Sequence, residues 1–433
     1  MGFILCVRAA SVYRSTRKGS KLFDSDDDSL STSSSTLSDR TLVHENDDIH
    51  DEEFQLEDYV DALYEKRPST REKGLKGLVD AFSSDFEVVF AENKHVTLVH
   101  LFINSIKRGS SSEAALASHA LGLLAITIGA GYRAHKILEE AMPHLSQALK
   151  GGCESGKRSA VLDCLAILTF VGGNDEDTEK SMELMWHLIH PKSAPQAVSS
   201  NKLPPNLVAF AISAWAFLLT TIPSWKADSK FLLVSASVMS SLLDKDDRSV
   251  RIAAGEALAL IDELQRLIPD ENESPEKAQY ENLLYGKILN QVEDLSIEAG
   301  GKGSSKKDLN NQRSSFRDIL ASLETGDGPE ALVKLKHGDV LKFITWTQLI
   351  QLNFLKHFLG KGFLTHMQEN DLLQEIFDFT PRRDKQQSLT VREKRMFRSP
   401  NSAISKARTQ LLKKKRSMAQ ACKLCDMLKQ IRQ

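Results

Sequence analysis

The sequence has little cysteine. Five cysteines (Cys6, Cys153, Cys164, Cys422, Cys425) are spread over 433 residues. They are odd in number and far apart, which argues against a disulfide framework and suits a reducing compartment. No uninterrupted apolar run reaches 18 residues, so no membrane span is expected. Charge of one sign is also lacking, because the formal net charge is −2. Motifs of site chemistry are missing too. Gly300-Gly301-Lys302-Gly303 lacks the strand-loop-helix setting and the GK[ST] ending of a phosphate loop. Cys422-x-x-Cys425 is a lone pair where zinc needs four ligands, and His187-x-x-His190 has no evident third ligand. No spacing of Ser, His and Asp marks a triad. The expectation is a protein that is not an enzyme and has no cofactor, metal site or small-molecule substrate.

What is present is helical periodicity. In Ser249–Leu264 the apolar side reads Val250, Ala253, Ala254, Ala257, Leu260, Ile261, Leu264, the three-and-four spacing of an amphipathic helix. Asp246 and Asp247 precede it at N-cap positions. Similar helices start near Ser69, Ser112, Lys157, Asn206 and Arg248, at intervals of 43, 45, 49 and 42 residues. Each is preceded by a less regular helix, such as the one carrying Val99, Phe102, Ile103 and Ile106. Ser69 with Glu72, and Ser110 with Glu113, read as capping boxes. A period of about 40–47 residues is that of armadillo and HEAT repeats. The fold class expected is all-α: a five-repeat solenoid, then a small α-helical C-terminal domain. A single hairpin cannot bury its own apolar face, whereas a stack buries a continuous one and offers a long concave surface to partners. Trp186, Trp215 and Trp225 are assigned to core or inter-repeat packing.

Along the chain, residues 1–53 read as a leader and an acidic Ser/Asp-rich segment, 54–295 as the array, 296–311 as a Gly/Ser/Lys linker, 312–380 as the C-terminal domain and 381–433 as a basic tail. Residues 1–23 read as an unstructured leader, with an organellar targeting leader as the alternative. Gly2 does not make a myristoylation site, because position 6 is Cys6. In the C-terminal domain Leu349, Leu352, Leu355, Phe358 and Leu359 form a helix stripe. Gly360 and Gly362 break it, and Leu372, Leu373, Ile376 and Phe377 resume it. So apolar a segment must fold on itself or dock on the array.

The neutral total hides segregated charge. Residues 24–58 hold 13 acids and one base, a net of −12, whereas residues 381–416 hold 13 bases and two acids, a net of +11. Low hydrophobicity and high charge predict disorder in residues 24–53. Ser25, followed by three Asp, suits an acid-preferring kinase. In the tail Arg382, Arg383, Lys385, Arg392, Lys394, Arg395 and Arg398 form one cluster, and Lys406, Arg408, Lys413, Lys414, Lys415 and Arg416 another. Neutralising phosphates with such clusters gives large, salt-sensitive affinity without sequence choice, so RNA or a ribosome is a candidate partner. Lys413–Arg416 also fits a nuclear localisation signal, and a tail masked by the acidic segment is a third alternative.

Four pieces resemble the interferon-related developmental regulator family: ALYEKRPSTREKGLKGLVDAF (62–82), ALGLLAITIGAG (120–131), QRSSFRDIL (312–320) and HFLGKGFLTHMQENDLLQEIF (357–377). They occur in the family's order. Pro68 stands where a smaller residue such as Gly is expected, a change that a helix entry tolerates. The resemblance implies a non-enzymatic regulator of gene expression. It implies either binding ribosomes and holding them inactive, with C-terminal helical sequence entering the tRNA path, or transcriptional co-regulation through protein partners. The expected location is therefore cytoplasmic, nuclear or both.

Overall fold

The computed structural model describes residues 51–381 except 152–154, 192–202, 224–227, 269–274, 299–305 and 336–337. Twelve helices come first: α1 (Asp51–Ala62), α2 (Pro68–Ser84), α3 (Val88–Arg108), α4 (Ser111–Ile128), α5 (Tyr132–Lys150), α6 (Ser155–Gly172), α7 (Asp175–Ile189), α8 (Pro205–Leu219), α9 (Ser229–Leu243), α10 (Arg248–Gln265), α11 (Pro275–Ile297) and α12 (Lys306–Thr325). An antiparallel hairpin of β1 (Ala331–Lys334) and β2 (Val340–Phe343) follows. The chain continues as α13 (Trp346–Leu359), a 3-10 turn (Gly360–Gly362), α14 (Phe363–Glu369) and α15 (Asp371–Ile376). The described residues from Asp51 to Phe379 form one compact unit.

The first twelve helices form antiparallel pairs, and the second helices α2, α4, α6, α8, α10 and α12 pack side by side. This is a helical-repeat stack. The five expected second helices start at Pro68, Ser111, Ser155, Pro205 and Arg248, each within two residues of the start read from the sequence. There are, however, six pairs among the described residues, not five. The helix α12 starts at Lys306, inside the stretch read as a linker, and packs on α10 and α11. Its Phe316 and Ile319 are fully buried against the backbone of Gly255. The fold is all-α as expected; the sheet content of the described residues is the β1–β2 hairpin, four residues a side, which the sequence reading did not include.

Local signals explain the helix starts. Asp247 accepts hydrogen bonds from the backbone N–H of Ser249 (3.0 Å) and Val250 (3.2 Å), capping α10 as expected. The two capping boxes form differently from the expectation. Ser110 accepts from the Glu113 N–H at 3.0 Å, but the Glu113 carboxylate turns away to Arg71. Ser69 lies inside α2, whose first residue is Pro68, where a missing N–H costs nothing. A complete capping box occurs instead at Asn174–Asp177, opening α7.

Among the described residues α4 alone is long and apolar enough by composition to cross a membrane. It packs against α2, α3 and α6, and the side chains from Ala120 to Ile126 are buried, which is the setting of a core helix.

Candidate interaction surfaces

The segment after α12 lies across the second helices of the array. Its docking begins at the start of α13, where orphan N–H groups need acceptors. Glu263 of α10 supplies them, accepting from the N–H of Trp346 (2.6 Å) and Thr347 (3.1 Å) and from Thr347 Oγ1 (2.7 Å). One turn later Gln351 Nε2 donates to Thr220 Oγ1 at the end of α8 (3.0 Å). The Phe354 ring stacks on Phe217 of α8 at 4.2 Å, and Phe217 stacks on Phe170 of α6 at 4.5 Å. Further on, Phe358 stacks on His119 of α4 at 4.6 Å, above the bare backbone of Gly122.

Gly360 then turns the chain with φ 52°, a left-handed value that favours glycine. The backbone of Gly362 presses against that of Ser83 at the end of α2. His366 is fully buried; its Nε2 donates to the Phe82 carbonyl (2.8 Å), and its Nδ1 accepts from Asn370 Nδ2 (3.3 Å). Burial pushes the His366 imidazole below its usual range, against the raising effect of the Phe82 carbonyl. Asn370 also donates to the Ile126 carbonyl of α4 (3.0 Å), and Phe377 returns to the ring of Phe343 on β2 (5.5 Å). The docking alternative of the sequence analysis is therefore the one realised. The second-helix face of the array is covered by the chain's own C-terminal helices.

That interface holds ionisable groups. A cavity of about 180 Å³ between α6, α8, α10 and α13 is lined by Asp163, Ser213, Glu256, Asn353 and His357 among apolar neighbours. Burial pushes both the Asp163 and the Glu256 carboxyl up to about 7. Asp163 Oδ1 has no hydrogen-bond partner among the described residues. Burial, and then His357, hold the His119 imidazole low.

On another part of the array a groove of about 640 Å³ runs along α7, α8 and the start of α9. Asp175, Glu179, Glu183 and Asp228 stand on its lining and are exposed. Trp186, Trp215 and Phe231 also line it, with rings 5.4 Å (Trp186–Trp215) and 6.0 Å (Trp215–Phe231) apart. Trp215 is fully buried, as core packing requires, whereas Trp186 is half-buried and Phe231 is 38% exposed. The sequence reading missed this groove. Its signal was Asp175, Glu179, Glu183 with Met182 and Trp186, an acidic and apolar face at helical spacing.

Arg382, Arg383, Lys385, Arg392, Lys394, Arg395, Arg398, Lys406, Arg408, Lys413, Lys414, Lys415 and Arg416 lie outside the described residues, as do Ser25, Trp225, Cys422 and Cys425. Among the described residues no group of three or more His, Cys, Asp or Glu side chains is arranged to hold a metal ion.

Three of the four pieces that carried the resemblance meet in space. The 357–377 piece touches 62–82 through His366 and Phe82, and 120–131 through Phe358 with Gly122 and Asn370 with Ile126. The 312–320 piece supports α10 through Gln312, which accepts from Arg248 (2.9 Å) and Arg251 (3.2 Å). The sequence profile of the family described as Interferon-related developmental regulator matches residues 27–324. The chain belongs to the interferon-related developmental regulator family. A second profile, the Interferon-related protein conserved region, matches residues 370–420, a range that contains every basic residue of the two tail clusters. Mouse (Mus musculus) Interferon-related developmental regulator 1 is 31% identical over 368 residues, covering 83% of this chain and 79% of the relative. The human (Homo sapiens) protein of the same name is 29% identical over the same shares. Mouse Interferon-related developmental regulator 2 is 30% identical, covering 76% of this chain and 73% of the relative. Among solved structures, an engineered protein aligns with a TM-score of 0.41 and 15% identity, covering 63% of this chain and 99% of its own. A chain from a structure of microtubule plus end tracking by XMAP215, CLIP-170 and EB1 aligns with a TM-score of 0.35 and 20% identity, covering 56% of this chain and 92% of its own.

Proposed function

We propose that this family member is a non-enzymatic regulator of gene expression that holds ribosomes inactive. The helical array is the scaffold for protein or ribonucleoprotein partners, and the basic tail supplies phosphate contacts to ribosomal RNA. The observation that carries this is the charge segregation: 13 bases against two acids in residues 381–416, following directly on a compact helical unit. Such a cluster binds a phosphate backbone by counterion release, with affinity that falls steeply as salt rises. The occupied second-helix face supports a scaffold whose partners meet its other surfaces.

The test is sedimentation of the tagged full chain with ribosomes through a sucrose gradient at two salt concentrations, beside a version lacking residues 381–433. Co-migration that needs the tail and fades with salt supports the proposal. A protein that stays at the top of the gradient at both salts overturns it.

The Lys413–Arg416 run favours a second reading, a nuclear co-regulator that recruits chromatin proteins through the array and enters the nucleus through the tail. Loss of nuclear entry on replacing those four residues, with no ribosome association, would select it.

A further inference from the structure

We infer that the groove along α7 is a docking site for an extended basic peptide of a partner protein. The inference deepens the scaffold reading by naming the chemistry of one partner surface. Three observations converge. The first is charge complementarity: Asp175, Glu179, Glu183 and Asp228 stand on the lining, and among the described residues no Lys, Arg or His lines it. Elsewhere on the same helix Glu176 pairs with Lys180 Nζ at 2.6 Å, and Asp177 Oδ2 lies 3.7 Å from Nδ1 of His135. Glu179 and Glu183 have no cationic partner among the described residues.

The second is the floor. Trp186 and Phe231 present ring surface between those acids, and Trp215 backs them. An ammonium or guanidinium held over an aromatic face is attracted by the ring quadrupole, and nearby carboxylates reinforce that attraction. A peptide with alternating cationic and apolar side chains satisfies both halves of the lining.

The third is length. From Asp175 to Trp186 the helix rises about 16 Å at ~1.5 Å per residue. An extended peptide covers that span in about five residues. The cavity volume of about 640 Å³ lies within the range of ligand-binding clefts.

The test uses the full chain and a fluorescein-labelled peptide of alternating Arg and Leu residues, read by fluorescence anisotropy. Its counterpart with Glu in place of Arg is the charge control. Saturable, salt-sensitive binding of the Arg peptide alone is expected. Glu179→Gln with Glu183→Gln should weaken it at least tenfold, and Phe231→Ala severalfold; all three positions are exposed, so the fold is spared. Glu139→Gln on α5, an acid with its own Lys136 partner, should change nothing. Equal binding of the Glu peptide, or binding indifferent to both the carboxylate pair and Phe231, overturns the inference. So does the absence of saturable binding up to about 1 mM peptide, a free energy of only ~4 kcal/mol. Ribosome co-sedimentation of the Glu179→Gln, Glu183→Gln variant is measured in parallel. Loss of peptide binding with sedimentation intact leaves the tail proposal standing, so the two ideas fail separately.

Discussion

A Cβ built on Gly122 would lie 2.5 Å from Cζ of Phe358, so α13 reaches α4 only because residue 122 has no side chain. Gly122→Ala should therefore push the Phe358 ring off His119. Overpacking of this kind costs about 1–3 kcal/mol. The variant should melt lower in a thermal scan, and a protease should cut the α13–α15 segment sooner than in the parent.

Arg71 grips Glu113 with two hydrogen bonds, Nε to Oε1 at 2.8 Å and Nη2 to Oε2 at 2.9 Å, joining α2 to α4. Glu113 is 1% exposed. Burial works against its charge, but hydrogen bonds from Arg71 and Ser105 outweigh burial and hold its pKa low. Arg71→Ala leaves that carboxylate buried without its cation and should cost about 3 kcal/mol in chemical denaturation. Because the folded pKa is depressed, the stabilisation is present above the unfolded value and lost as pH falls through the folded one. The parent's advantage over Arg71→Ala should accordingly shrink in acid.

Asp163 and Glu256 shift the other way, up to about 7. Between the ordinary carboxyl range, ~4, and 7 the folded chain binds protons that the unfolded chain does not, so stability drops as pH rises through that window. Asp163→Asn and Glu256→Gln should remove the drop. After discounting for partial exposure, each should raise stability by about 1–2 kcal/mol at pH ~8 and leave it unchanged at pH ~4. Melting curves at the two pH values check this.

Glu263 closes the start of α13 from a different helix. Glu263→Ala should cost about 1–2 kcal/mol, the scale of a lost cap. Hydrogen exchange should quicken at Trp346 and Thr347 before it quickens in α10.

The repeats were legible because their signal is local. Apolar spacing, caps and Pro68 at a helix entry are written within a few residues of one another. The sixth pair was missed because Gly300, Gly301 and Gly303 read as a domain boundary although α12 resumes at Lys306. The hairpin was missed because β1 (ALVK) and β2 (VLKF) are too short for alternation to stand out. The α13 stripe and its break at Gly360 were visible, but their destination was not. His366 and Phe82 are 284 positions apart, and a contact of that range leaves no periodic trace. The acidic groove was hidden for a related reason: α7 supplies three of the four acids, whereas Asp228, Trp215 and Phe231 come from α8 and the start of α9.

A repeat stack ordinarily behaves as a row of dominoes, each unit answering only to its neighbours. Here the segment from Trp346 to Phe377 bonds to α10 at one end of its course and to α2 at the other. The row is thereby laced into a loop, and the earliest helices to be synthesised wait for nearly the last described residues before their exposed side is sealed. Release of the chain as far as Phe379 becomes a checkpoint in its biogenesis. A product that stops short of it would display the apolar face of Phe217 and the bare backbone of Gly122 to the quality-control machinery.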